Sequence, residues 1–114
     1  MAKNKYIVGY FQSNRGTSPV LDYLNQLPTR SRSKVSHLIT ILQEYGPSIK
    51  PPYSKKIQEK LWELRSSGNE SIRIFYTKFN NKYYLLHIFR KKTNKTPIRE
   101  INTALDRMKE LYNI

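Results

Sequence analysis

Arg65, Arg73 and Lys91 share one parity within a stretch of alternating apolar and polar residues, so strand geometry would gather them on one face. Cations in such a row are suited to hold a phosphate, and a planar guanidinium can grip two of its oxygens at once. Arg73, in the middle of the stretch, is the best placed, with Lys91 and Lys92 as further stabilisers of charge. Glu63 and His87 have the same parity as Arg73 and are the nearest groups able to carry a proton. Each residue also has a plainer reading. Arg73 can simply pair with Glu63, lysines at a strand end are an ordinary solvated edge, and His87 between Leu85 and Phe89 suits a hydrogen-bonded structural role.

Other chemistries lack their residues. The 8 Asp and Glu are scattered, with Glu59 and Glu63 close together but no cluster around them, so a two-metal site is not expected. With 2 His and no Cys there is no zinc pattern, no disulfide and no thiol nucleophile. The 4 Gly are widely separated and form no phosphate-binding loop. No cofactor and no metal are expected. What remains is metal-free chemistry on a phosphate. RNA suits it, because the 2′-hydroxyl is a built-in nucleophile and fixed cations can stabilise the charge that develops.

The charge balance points the same way. Lys and Arg number 21 against 8 acids, for a net charge of +13 and a pI near 10.1. Between Ser71 and Arg99 there is no acid against eight Lys or Arg, an imbalance that calls for a polyanion, with nucleic acid first. Lys55, Lys56, Arg90 and Lys95 are the expected RNA-binding cations beside the central group. No helix pairs a lysine-rich face with a bulky apolar one, so no membrane partner is expected. Without a spanning run or an apolar leader, the expectation is a soluble cytoplasmic protein.

The positioning elements can be read in order. Tyr6 to Gln12 predicts a strand, and Thr17-Ser18-Pro19 opens a short helix that Pro28 ends, with Ser18 or Thr17 as its hydroxyl cap. Val35, Leu38, Ile39, Leu42 and Tyr45 predict a second helix from about Thr29 to Tyr45, stopped by Gly46-Pro47. The two would form a helical hairpin on the apolar face of the sheet. Ser48 to Lys60 reads as a loop or single turn. Leu61 to Lys91 reads as a three-strand meander with turns at Ser66–Asn69 and Asn80-Asn81. Strict alternation puts Trp62, Leu64, Ile72, Ile74, Tyr76, Tyr84, Leu86 and Ile88 on its apolar face. A last helix follows Thr96-Pro97, with Ile98, Ile101, Leu105, Met108 and Tyr112 as its apolar stripe. The 114 residues are expected to form one domain.

LWELRSSG from Leu61, IRIFY from Ile72 and LLHIFRKKTNKTP from Leu85, with the SPV helix start at Ser18, resemble the HigB-like, phage-derived branch of the RelE/ParE toxin superfamily. The resemblance extends over nearly the whole chain. It implies a RelE-like α+β fold, a twisted and mainly antiparallel sheet with an N-terminal helical hairpin and a C-terminal helix. It also implies an antitoxin partner, of helix-turn-helix type, and cleavage of mRNA on the ribosome without metal. Arg73 matches the RelE branch's strand arginine at the scissile phosphate, Arg65 a basic position one strand earlier, and Lys91 falls where that branch has its second phosphate-stabilising arginine. Leu61 and Glu63 stand where the RelE branch has lysines, and Lys95-Thr96-Pro97 where it has a C-terminal Tyr. Proton transfer is therefore expected elsewhere, with Glu63, His87 and the lysines of the two loops as candidates. Two other functions fit the same sequence: a gyrase-directed toxin without nuclease activity, and a non-catalytic basic nucleic-acid-binding module.

Overall fold

The computed structural model describes residues 5–66 and 71–113. Five strands form one sheet in the order β1-β5-β4-β3-β2. Strand β1 (Ile7–Tyr10) enters parallel to β5 (Lys82–Arg90), and the other neighbours are antiparallel. Helices α1 (Pro19–Gln26) and α2 (Thr29–Tyr45) carry the chain from the β1 edge to the opposite edge. From there β2 (Ser54–Gln58), β3 (Leu61–Arg65), β4 (Ile72–Phe79) and β5 return strand by strand, and α3 (Ile98–Tyr112) closes the chain. The fold is α+β with a mostly antiparallel sheet, as expected.

Both faces of the sheet are buried. Val20, Leu24, Val35, Leu38 and Leu42 from α1 and α2 pack on Leu64, Ile72, Ile74, Tyr76, Tyr83, Leu85 and Ile88. On the other face Ala104 and Leu111 of α3 pack with Phe11, Leu61, Phe75, Leu86 and Phe89. Strict alternation misassigns the start of β5. Phe75 pairs with His87 but Tyr76 pairs with Leu85, so Leu86 is an extra residue in the ladder. Such a bulge reverses parity on one side of itself. Tyr83 and Leu85 thereby join the α1/α2 face, while Tyr84 and Leu86 turn to α3.

Ser54 to Gln58 is a strand, contrary to the loop expected there. SKKIQ carries a single apolar residue, and its order comes from pairing with β3, a contact no local pattern announces. The turn after it needs Lys60 in a left-handed conformation at φ 64°. Asn80 and Asn81, at φ 52° and 62°, make the expected tight turn between β4 and β5. The Ser66–Asn69 turn falls partly outside the described residues. Pro19 opens α1 as expected, but no hydroxyl caps it; Ser13 and Thr17 bond each other instead. Gly46, at φ 50°, ends α2 where any Cβ would strike the Tyr6 ring at 2.7 Å. In α3 the stripe shifts: Ile98 is 73% exposed, whereas Ala104 and Leu111 are buried.

A hydroxyl cluster ties α3 to the sheet. Thr77, fully buried, donates to the Lys60 carbonyl at 2.6 Å and leaves its oxygen for Tyr112 at 2.7 Å. The single Tyr112 proton is shared between Thr77 and the Lys78 carbonyl, 3.0 Å away. Tyr112 also stacks on Phe79. Tyr112→Phe keeps the stacking and removes the hydroxyl, so urea unfolding should show a loss of about 1 kcal/mol with an unchanged m-value. An unchanged midpoint would show that solvent replaces the bond at no cost.

Candidate active site

Cross-strand register sets the site. Residues paired across strands project to the same face, so the ladder writes two adjacent rows on the α3 side. Arg65, Arg73 and Phe89 form one row. Lys55, Glu63, Phe75 and His87 form the next. Lys91 extends the ladder by one step, its N–H donating to the Ser71 carbonyl at 2.7 Å, and alternation from Phe89 puts its side chain on this face. Neighbouring strands lie about 4.8 Å apart, so Arg65 and Arg73, paired directly across β3 and β4, stand side by side on this face.

Beneath them lies a buried carboxylate. Glu63 is 1% exposed; its Oε1 accepts from Arg65 Nε at 2.8 Å and stands 4.0 Å from Arg73 Nε. Arg73 Nη1 donates to the Ile72 carbonyl at 3.3 Å. Glu63 Oε2 and Arg73 Nε have no hydrogen-bond partner among the described residues. Burial draws the Arg73 guanidinium below its usual value, against the pull of Glu63 and with the push of Arg65, and it remains a cation. One carboxylate thus serves two guanidiniums incompletely. The side chains of Arg65 and Arg73 keep 31% and 16% of their surface open to solvent. The arrangement can accept an anion from above.

His87 is held on both sides. Its Nε2 lies 2.6 Å from Glu100 Oε1, and its Nδ1 lies 3.2 Å from Arg107 Nη1, which also donates to the Leu86 carbonyl at 2.8 Å. A guanidinium only donates, so Nδ1 accepts and Nε2 carries the hydrogen given to Glu100. Neither nitrogen is open to a substrate. Burial lowers the His87 pKa, the Glu100 bond opposes this, and Arg107 adds to the lowering. The imidazole is therefore neutral near pH 7. Glu100 and Arg107 are the residues that sequence reading missed here. Their seven-residue spacing puts them on one face of α3, but only the fold brings that face to His87.

The remaining cations separate. Lys55 shares the site's face, at the exposed edge strand, whereas Lys56 pairs with Trp62 across the ladder, projects to the opposite face and lies 3.7 Å from Glu59. Arg90, expected to bind RNA, reaches to the α2 side and donates to the buried Ser31 hydroxyl at 3.0 Å. Lys92 and Lys95 are exposed in the segment that links β5 to α3. Among the described residues no three His, Asp or Glu converge as metal ligands would, and no helix is long and apolar enough to cross a membrane.

The locked histidine predicts a pH effect on stability. The folded His87 pKa is depressed, so the unfolded chain takes up its proton first as the pH falls. The contribution is complete above about pH 6.5 and is lost as pH drops through the folded value. Gln can keep a donor to Glu100 and an acceptor for Arg107 without titrating. Between pH 7.5 and 5 the thermal midpoint of the parent should therefore fall more steeply than that of His87→Gln; parallel curves would contradict the buried neutral state.

Comparison with known proteins places residues 22–109 in the family described as Phage derived protein Gp49-like (DUF891). No curated protein matches the chain.

Proposed function

We propose a function from one premise: the chain belongs to the phage-derived Gp49-like family, a RelE-type, toxin-like family. A toxin-like family implies an antitoxin partner. On our reading the protein is the toxin of a type II toxin–antitoxin pair of the HigB-like branch. It is an endoribonuclease that cuts mRNA without metal, on the ribosome, and so stops translation. Its antitoxin is a helix-turn-helix protein.

One observation carries this reading. Arg65 and Arg73 are adjacent across the sheet, share one buried carboxylate, and leave Arg73 Nε unpaired. A phosphate entering above them would meet the part of the two guanidiniums that stays open to solvent, while the unpaired Arg73 Nε itself lies buried beneath. Charge on a pentacoordinate phosphorus exceeds that on the ground-state diester, so the same donors bind the transition state more strongly than the substrate. Lys91 adds charge from the same face and Lys92 from the loop beyond. Glu63 lies behind the guanidiniums at 1% exposure, which suits a counter-ion that sets their positions more than a proton carrier.

Arg73 is the decisive test. Arg73→Ala should lose about a hundred- to a thousandfold in the rate of cleavage of a ribosome-bound message. Arg73→Lys keeps the charge without the two-pronged grip and should fall between Ala and the parent. Thermal midpoints close to the parental value would show that the fold survives. An Ala variant that is folded and cuts at the parental rate would overturn the enzymatic reading and leave a binding module or a gyrase-directed toxin, which a supercoiling assay would identify.

Salt gives a second, independent measurement. If about four to six phosphates are neutralised, log affinity for single-stranded RNA should fall against log salt with a slope of roughly −3 to −4. A flat dependence would remove the polyanion argument that rests on the acid-free stretch from Ser71 to Arg99.

A further inference from the structure

Strand β1 accompanies β5 only as far as the pairing of Tyr10 with Leu85. Beyond it, among the described residues, no strand lies on that side of β5. A cleft of about 420 Å³ occupies the gap, between α1, the end of β5 and the first turn of α3. Tyr23 and Phe89 supply aromatic wall, and Lys92, Thr93, Arg99 and Glu100 supply polar groups. Phe89 is the register partner of Arg73, so the cleft opens about one strand spacing from the phosphate-gripping row.

We propose that this cleft is a nucleotide subsite of the RNA-binding surface, taking one unpaired base that carries an amino group next to the phosphate held by Arg65 and Arg73. The proposal rests on the ribonuclease reading above and adds to it a pocket and a base preference. Single-stranded RNA is recognised by splaying bases onto aromatic side chains and reading their edges, and a cleft of about 420 Å³ has room for one base. Lys92, exposed, and Arg99, with 81% of its side chain open, are available to the flanking phosphate. The edge-reading group is Glu100. Its Oε1 is occupied by His87, and its Oε2 stands 3.8 Å from the exposed Arg99 Nε, a loose pair that a ligand can displace. A carboxylate only accepts hydrogen bonds, so it favours the exocyclic amino groups of cytosine, adenine or guanine over uracil, whose one edge N–H is flanked by two carbonyl oxygens. An acidic peptide would meet the same cations, but Glu100 would repel it.

The test is amide NMR of the whole chain titrated with AMP, CMP, GMP and UMP, with inorganic phosphate as the control. The amino-bearing nucleotides should shift Phe89, Thr93, Arg99 and Glu100, and UMP should bind about three- to tenfold more weakly than CMP. Glu100→Gln retains an acceptor for His87 and gains a donor, so it should close the gap between UMP and CMP; Arg99→Glu should weaken all four. Shifts confined to Arg65 and Arg73, identical shifts from phosphate alone, or tighter binding of a poly-glutamate peptide than of any nucleotide would each overturn the subsite. Because the readout is binding, its failure is separate from that of the ribonuclease reading. Arg73→Ala should abolish cleavage yet leave these cleft shifts in place.

Discussion

A sheet buried on both faces must supply apolar side chains at nearly every position, and this one does so through a single extra residue. With Leu86 inserted opposite the Phe75–Tyr76 step, β5 gives Tyr83, Leu85 and Ile88 to the α1/α2 side and Leu86 and Phe89 to the α3 side. Without the bulge, one half of β5 would present its side chains to the wrong layer. The bulge also brings His87 round to α3, where Glu100 and Arg107 meet it. Packing and the candidate site thus depend on the same local irregularity.

The apolar cover ends where the charge begins. Helix α3 lies over Leu61, Phe75 and Leu86, and the next row along the ladder is Arg65, Arg73 and Phe89. A buried carboxylate with two guanidiniums is weak evidence for stability, because taking the ions out of water offsets most of their attraction. The orphaned Glu63 Oε2 and Arg73 Nε make the balance worse. On the proposed reading, this incompletely satisfied charge at the end of an otherwise well-packed sheet is kept for binding, since apolar residues would serve stability as well.

What could be read from the chain was what neighbours in sequence decide. The Asn80-Asn81 turn, the span of α2 and the shared face of Glu63, Arg65 and Arg73 follow from backbone preference and period-two alternation within a few residues. Strand β2 was hidden because SKKIQ has no apolar rhythm and owes its order to β3. The Leu86 bulge was hidden because parity within β5 depends on a residue count in β4. Arg90 looked like a free cation beside Lys91 and Lys92 until α2 brought Ser31 to it. In each case the deciding contact lies far away in sequence.

The site also bears on where proton transfer would come from. A 2′-hydroxyl attack needs a base for its proton and an acid for the leaving oxygen. His87 has both nitrogens engaged and its pKa is held down by burial, while Glu63 is sealed behind two guanidiniums. Both candidates for the task are committed to holding other side chains in place. Lys55, Lys92 and Lys95 are exposed at the edge strand and in the segment that links β5 to α3. On the proposed reading the protein supplies charge and orientation, and the proton carriers come from the surface on which the message is presented. Ribosome dependence, which the family resemblance implies, would fit such a division of labour around Glu63 and His87.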